Sequence, residues 1–270
     1  MRVIHSFWSK PCNNIKQQVW MYALSLAYLK REGANTVLHT DSVGKELFQL
    51  LPYDEIHTTL DSVPDWIDTK FFAAGKFYAQ QAEDLGSVHI DGDVFLKKKS
   101  LLDSIEHKLN NSDLIVQHFE IGRNKIYENT VKVLEKYIPN PPFKYDFFIP
   151  ASCGTVGFNN QIFKEDYFEM YFNFLKLVHS IPECLNELKT TSDVIPDLIC
   201  EQQFLIQLAH EKNIRISSVL EKTPKFINEE AKSVGYQHLI TSYKWYLIPM
   251  VKKYLKLIDL NLYKLLNKNL

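Results

Sequence analysis

Short apolar runs alternate with stretches of helical periodicity along the first part of this chain, and that alternation constrains the fold more than any other feature. Residues 3–8 form an apolar run suited to a buried strand. After Pro11 and the turn-forming Asn13-Asn14, residues 15–31 carry Val19, Tyr22, Ala23, Leu26 and Leu29 at helical spacing, with Gly33 as a stop. Residues 36–39 read as a second buried strand, 44–51 as a helix and 55–58 as a short strand. A helix over 67–83 then leads into a strand over 87–91. Such an order predicts an α/β sheet with crossover helices. Further on, the patterns predict a strand at 114–118, a loop over or beside the site at 139–150, and a glycine-containing segment at 151–160. Helices are expected at 163–178 and 198–211, and irregular structure at 182–196.

Composition narrows the function classes. A hydrophobic content of 46% supplies a substantial core and excludes an intrinsically disordered chain. Lys+Arg of 31 against Asp+Glu of 32 leaves a formal charge of -1, which gives no global reason to expect a nucleic-acid partner. Cys12, Cys153, Cys184 and Cys200 are scattered without a paired motif, so reduced thiols are expected rather than a disulfide framework. No secretory signal and no run of about 18 apolar residues is visible, and the expected compartment is the cytoplasm. Ser-His-Asp order, an HExxH helix, a Walker A loop and a GxGxxG fingerprint are all missing from the sequence.

The sharpest chemical signal is His89-Ile90-Asp91-Gly92-Asp93-Val94-Phe95-Leu96. An apolar strand that runs into acids at its C-terminal end has the geometry of a ligand site in an open α/β sheet. Asp91 and Asp93 can offer oxygens to a hard divalent ion, and Gly92 lets backbone and a diphosphate approach closely. The alternative is an Asp-Gly turn with two solvated acids.

This segment, following Lys70-Phe71-Phe72 and Lys76-Phe77, resembles the DxD region of the GT-A glycosyltransferases. The nearest pattern is that of glycosyltransferase family eight, the glycogenin and lipopolysaccharide-galactosyltransferase type, with related capsular polysaccharide enzymes. The resemblance implies a Rossmann-like GT-A domain over residues 1–244, with a mixed central sheet, a nucleotide-sugar donor (a UDP-sugar favoured) and a manganese or magnesium ion. By the same resemblance His238 completes the metal shell with Asp91 and Asp93, and Lys244, six residues on, meets the diphosphate. The glycine and proline usual within and after that spacing are missing here. Ser152 to Asn159 resembles the segment whose small residues seat the sugar, which places Ser152 and Gly154 beside the donor, although Ser152 stands where asparagine is expected.

Glu201-Gln202 resembles the Asp-Gln pair at the sugar's reacting face; Glu201 also suits a helix N-terminus, where the dipole favours an acid. His5, Ser6 and Trp8 end the first strand where base and ribose would bind, with Trp8 equally suited to the core. Asp41 is expected near ribose or base, and Lys70 near the phosphates. The implied reaction is retaining hexosyl transfer to a glycan or lipid-linked hydroxyl acceptor. Two rivals share the fold: a sugar nucleotidyltransferase, and a catalytically silent nucleotide-sugar-binding protein.

The end of the chain differs from the rest. Residues 245–270 hold Lys252, Lys253, Lys256, Lys264 and Lys268 against the single acid Asp259, interleaved with apolar side chains. Spacing after Pro249 predicts a basic amphipathic helix that rests on the inner face of a membrane or folds back on the domain.

Overall fold

A computed structural model describes residues 1–120, 125–141, 144, 149–222, 226–239 and 242–270. The chain runs through β1 (Arg2–Phe7), α1 (Ile15–Arg31), β2 (Asn35–Thr40), α2 (Ser42–Phe48) and β3 (Glu55–His57). It continues with α3 (Ala74–Gln81), β4 (Val88–Ile90), β5 (Val94–Leu96), α4 (Lys99–Asn110), β6 (Leu114–Phe119), α5 (Lys125–Tyr137) and β7 (Ala151–Phe158). The remainder holds α6 (Gln161–His179), α7 (Pro182–Thr190), α8 (Phe204–Glu211), β8 (Ile216–Ser218), α9 (Ile227–Val234), β9 (Tyr236–His238), α10 (Ile248–Ile258) and α11 (Leu260–Asn269).

Seven strands form the central sheet in the order β3-β2-β1-β4-β7-β6-β8. β3, β2, β1 and β4 are parallel, β6 and β8 are parallel, and β7 runs against both of its neighbours. This is the α/β class with a mixed sheet that the sequence predicts. After β1 the chain moves outward through β2 and β3, then returns to place β4 on the other side of β1. The sheet therefore has a switch point between β1 and β4, and the crevice at the carboxyl ends of these strands is the natural ligand position.

β5 and β9 form a separate antiparallel pair in which Val94 faces His238, and Leu239 N donates to Asp93 O at 3.0 Å. Two backbone ladders thus fix the acidic turn. On its other side Asp91 N donates to Gly154 O of β7 at 2.9 Å.

α1 has the bounds expected from its periodicity, and Gly33 after it has a φ of +80°. α3 is shorter than the predicted 67–83, because Asp68 and Asp197 bond backbone amides ahead of it: Asp68 takes Lys70 N and Asp197 takes Ala73 N, both at 2.9 Å. Residues 182–190, predicted irregular, are helical. Pro182 stands in the first turn with Glu183, and Cys184 and Leu188, one turn apart, are both buried. The loop expected at 139–150 lies in part outside the described residues.

The C-terminal segment is two helices rather than one. Asp259 ends α10 and caps α11, accepting from Leu262 N at 2.9 Å. Val251, Leu255, Leu262 and Leu266 are buried in one core cluster with Trp20, Met21 and Tyr28 of α1. The apolar stripe read from the sequence is thus covered by the protein itself. Among the described residues no helix is long and apolar enough to cross a membrane.

Candidate functional site

A cleft of about 450 Å³ opens at the switch point. Its walls include Ser6, Phe7 and Trp8 from the end of β1, Asp91, Gly92 and Asp93 from the turn after β4, and Lys76, Glu201 and Lys244. Asn13, Asn14, Gln18 and Tyr22 line it where the chain enters α1. The volume lies in the range of small-molecule sites.

Ligand atoms of Asp91 and Asp93, which line the cleft, and of His238 beside them lie within 4.8 Å of one another. His238 Nε2 is 3.4 Å from Asp93 Oδ1 and 4.0 Å from Asp91 Oδ2. His238 Nδ1 is 2.9 Å from Gln117 Oε1. With that oxygen accepting, Nδ1 carries a hydrogen, and Nε2 is the ring nitrogen that faces the carboxylates. Two carboxylates and an imidazole converging on one point are a donor set that suits manganese or magnesium, so the residues fit the ion that the sequence resemblance implies.

Lysines flank both acids. Lys244 Nζ is 2.7 Å from Asp93 Oδ2. Lys76 Nζ is 2.7 Å from Asp91 Oδ1, 2.5 Å from Glu201 Oε1 and 2.9 Å from Cys153 O. Burial alone would push the Asp93 carboxyl up, but His238 and Lys244 outweigh it and hold the carboxylate well below its ordinary range. Burial likewise opposes charge on Lys76, yet Asp91 and Glu201 overcome it and keep the ammonium protonated. For Glu201 burial prevails over Lys76, and its carboxyl is raised.

Glu201 reaches the cleft from a π-helical turn, Leu198–Gln203, that runs directly into α8. Asp197, just before that turn, accepts from Ala73 N and so ties it to the start of α3. That tie sets the start of α3 beside the turn, where Lys76 and Glu201 meet as an ion pair in the lining of the cleft.

The other expected residues divide. Ser6 and Trp8 line the cleft, with Ser6 Oγ 2.8 Å from His89 Nε2. His5 lies beneath the cleft and does not line it; its Nδ1 is 2.6 Å from Tyr53 Oη, and burial pushes its pKa down to about 3, so the ring is neutral. Asp41 caps α2 and accepts from Ser9 N and Gly44 N, each at 2.8 Å, which occupies it with shaping the loop after β1. Lys70 stands in the turns before α3 and does not line the cleft, whereas Lys76 does. Ser152 is buried in β7 beside His118 of β6. Gly154 serves from behind: a Cβ there would lie 2.4 Å from Gln117 Oε1 and 2.6 Å from His238 Cε1. Gln202 does not line the cleft; its side-chain oxygen accepts from the Tyr127 hydroxyl.

Sequence reasoning gave no place in the site to Lys76, Gln117 or Tyr22. Lys76 had a signal in the small residues Ala73-Ala74-Gly75 just before it, which mark a close helix approach. Gln117 had none, since its partner is 121 residues away.

Fold and cleft together define an α/β protein with an acidic, lysine-flanked cleft at a sheet switch point. The chain belongs to a family of unknown function, DUF6734, whose model matches residues 1–268. No curated protein matches the sequence. Among solved structures, the chain is similar to the galactosyltransferase LgtC in complex with donor and acceptor sugar analogs, at 10% identity and a TM-score of 0.49, covering 96% of each chain. It is also similar to the apo form of mouse xyloside xylosyltransferase 1, at 13% identity and a TM-score of 0.38, covering 80% of this chain and 84% of that one. An active-site mutant of LgtC is similar at 11% identity and a TM-score of 0.40, covering 74% of this chain and 70% of that one.

Proposed function

We propose that this protein is a metal-dependent glycosyltransferase of GT-A type that moves a sugar from a nucleoside diphosphate, with UDP favoured, to a hydroxyl acceptor. The observation that carries this reading is the convergence of Asp91, Asp93 and His238, with Lys76 paired to one acid and Lys244 to the other in the lining of one cleft. Acids for a cation beside ammoniums for phosphate oxygens suit a metal-chelated diphosphate better than any uncharged ligand. Asp91, Asp93 and His238 would hold manganese or magnesium, which when bound supplies charge stabilisation to the departing diphosphate. Lys244 and Lys76 would neutralise phosphate oxygens, and Trp8 would wall the base. Glu201 would orient sugar hydroxyls, with Gln202 behind it held by Tyr127. A hexose donor and retention at the anomeric carbon extend the same reading, as does an acceptor that is a glycan or lipid-linked glycan.

Calorimetry with UDP and Mn2+ tests the site. His238→Ala is expected to weaken manganese-dependent UDP binding about ten-fold or more, and Lys244→Ala to weaken UDP binding by a similar factor, each losing a charged contact. Parent-like binding by both variants would reduce the stretch from His238 to Lys244 to an ordinary surface segment. Tight donor binding without any UDP release would favour a silent binding protein over a transferase.

A place at the inner membrane face is a second part of the proposal. Leu257 of α10 is 72% exposed and Leu265 of α11 is 42% exposed, and Lys253, Lys256, Lys264 and Lys268 are exposed beside them. Lysines near an anionic bilayer contribute roughly 1 kcal/mol each. Deleting the segment would strip Val251, Leu255, Leu262 and Leu266 from the core, so a point variant is the cleaner probe. Co-sedimentation with anionic vesicles is expected to fall with salt, and Leu257→Ser to weaken it about five-fold, as roughly 1 kcal/mol of apolar burial is lost. Equal sedimentation of parent and variant would rule this contact out.

A further inference from the structure

The carboxylates proposed to hold the divalent ion are already paired, and their partners are the lysines proposed to meet phosphate. Lys244 bonds Asp93 at 2.7 Å, and Lys76 bonds Asp91 at 2.7 Å. An ammonium has three hydrogens to donate. Those of Lys76 go to Asp91, Glu201 and the Cys153 carbonyl, so a phosphate oxygen can gain one only if one of these acceptors gives it up, and Asp91 is the one that an entering cation would engage. Glu201 and Cys153 would keep the side chain tethered through that exchange. Lys244 is less enclosed, with 22% of its side chain exposed against 10% for Lys76, and its flexible stem can swing within the cleft.

Charge makes the exchange cooperative. Asp91 and Asp93 with their two lysines sum to zero formal charge. A divalent cation entering alone would sit among two ammoniums, and a diphosphate entering alone would sit against two carboxylates; each is penalised by like charge at short range. Entering together, they cancel, and every group in the site has an opposite partner.

We propose that Lys76 and Lys244 are exchangeable counterions that make cation and diphosphate binding mutually dependent. They hold Asp91 and Asp93 in the resting cleft and turn to phosphate oxygens as the carboxylates turn to the ion. The diphosphate half of this statement rests on the glycosyltransferase reading; the competition between lysine and cation does not. By linkage, each ligand raises affinity for the other by the same factor, typically about 5- to 150-fold.

Mn2+ binding, read from the EPR signal of the free ion, tests this with the parent, Lys244→Met and Lys76→Met, each with and without UDP. For the parent, UDP is expected to tighten Mn2+ binding about ten-fold or more. Without UDP, Lys244→Met is expected to bind Mn2+ at least about five-fold tighter than the parent, and UDP should then add less. Lys76→Met should do the same; if its exposed carboxylate pair prevents folding, Lys244→Met decides alone. Mn2+ affinity in Lys244→Met that is equal to or below the parent's without UDP overturns the counterion role. Equal tightening by UDP in parent and variant also overturns it. A parent that binds no nucleoside diphosphate at all would overturn the glycosyltransferase reading, whereas tighter Mn2+ binding by Lys244→Met alone would still support the competition.

Discussion

Asp93→Ala is expected to lower sugar transfer, followed as Mn2+-dependent UDP release from a panel of UDP-sugars, by about 10²- to 10³-fold, the range seen when one preorganised charge-stabilising group is removed. Asp93 is only 9% exposed and meets two partners, His238 at 3.4 Å and Lys244 at 2.7 Å. Removing it deletes one of three proposed ion ligands. It also leaves Lys244 without its carboxylate at the edge of the remaining pair, which adds repulsion toward a cation. Both effects act on the step in which charge develops on the leaving diphosphate, so the loss should fall on kcat as well as on metal affinity. Asp93→Asn keeps the shape and removes the charge, and should lose nearly as much. Unchanged UDP release in Asp93→Ala, or release in the parent that EDTA does not suppress, would sink the metal assignment.

The parts legible in the sequence are those whose signal is local. α1 is read at its full length because Val19, Tyr22, Ala23, Leu26 and Leu29 repeat at helical spacing and Gly33 follows. The acidic turn is read because an apolar strand ends in two carboxylates, a pattern contained within seven residues of chain around Asp91 and Asp93. Illegible features depend on pairing across the fold. β9 has little pattern of its own and exists as a strand because β5 lies against it, although that pairing is what sets His238 beside Asp93. Lys70 and Lys76 are both lysines beside phenylalanines in sequence; Asp68 and Asp197 delay the start of α3, and that decides which of them reaches the cleft. The C-terminal stripe was legible as amphipathic, but a stripe does not name what covers it, and here α1 does.

Gly92→Ala is expected to lower both stability and metal binding, for a reason the sequence does not give. The glycine between the two acids suggests room for a diphosphate, yet a Cβ at this position would lie 2.1 Å from Cε2 and 2.3 Å from Cζ of Tyr22. The backbone of Gly92 is not in the left-handed region, so the conflict is steric rather than conformational. The ring cannot easily retreat: its hydroxyl donates to Ser6 O at 2.5 Å, and it stands edge-on to His5, Phe7 and Phe48 at 5.4, 5.8 and 5.0 Å. The added methyl must then move the turn, which is pinned at Asp91 to Gly154 and at Asp93 to Leu239. Overpacking of this kind costs about 1–3 kcal/mol, which lowers the melting temperature by several degrees in a chain of this size. A shift of about 1 Å in Asp91 and Asp93 would reduce transfer on the order of 10²-fold. Tyr22→Leu in the Gly92→Ala background frees the space and should restore part of the Mn2+ affinity, a recovery that a double-mutant cycle would quantify. Parent-like melting and Mn2+ binding with weakened UDP binding would instead show that the ring yields and that Gly92 is there to admit the diphosphate.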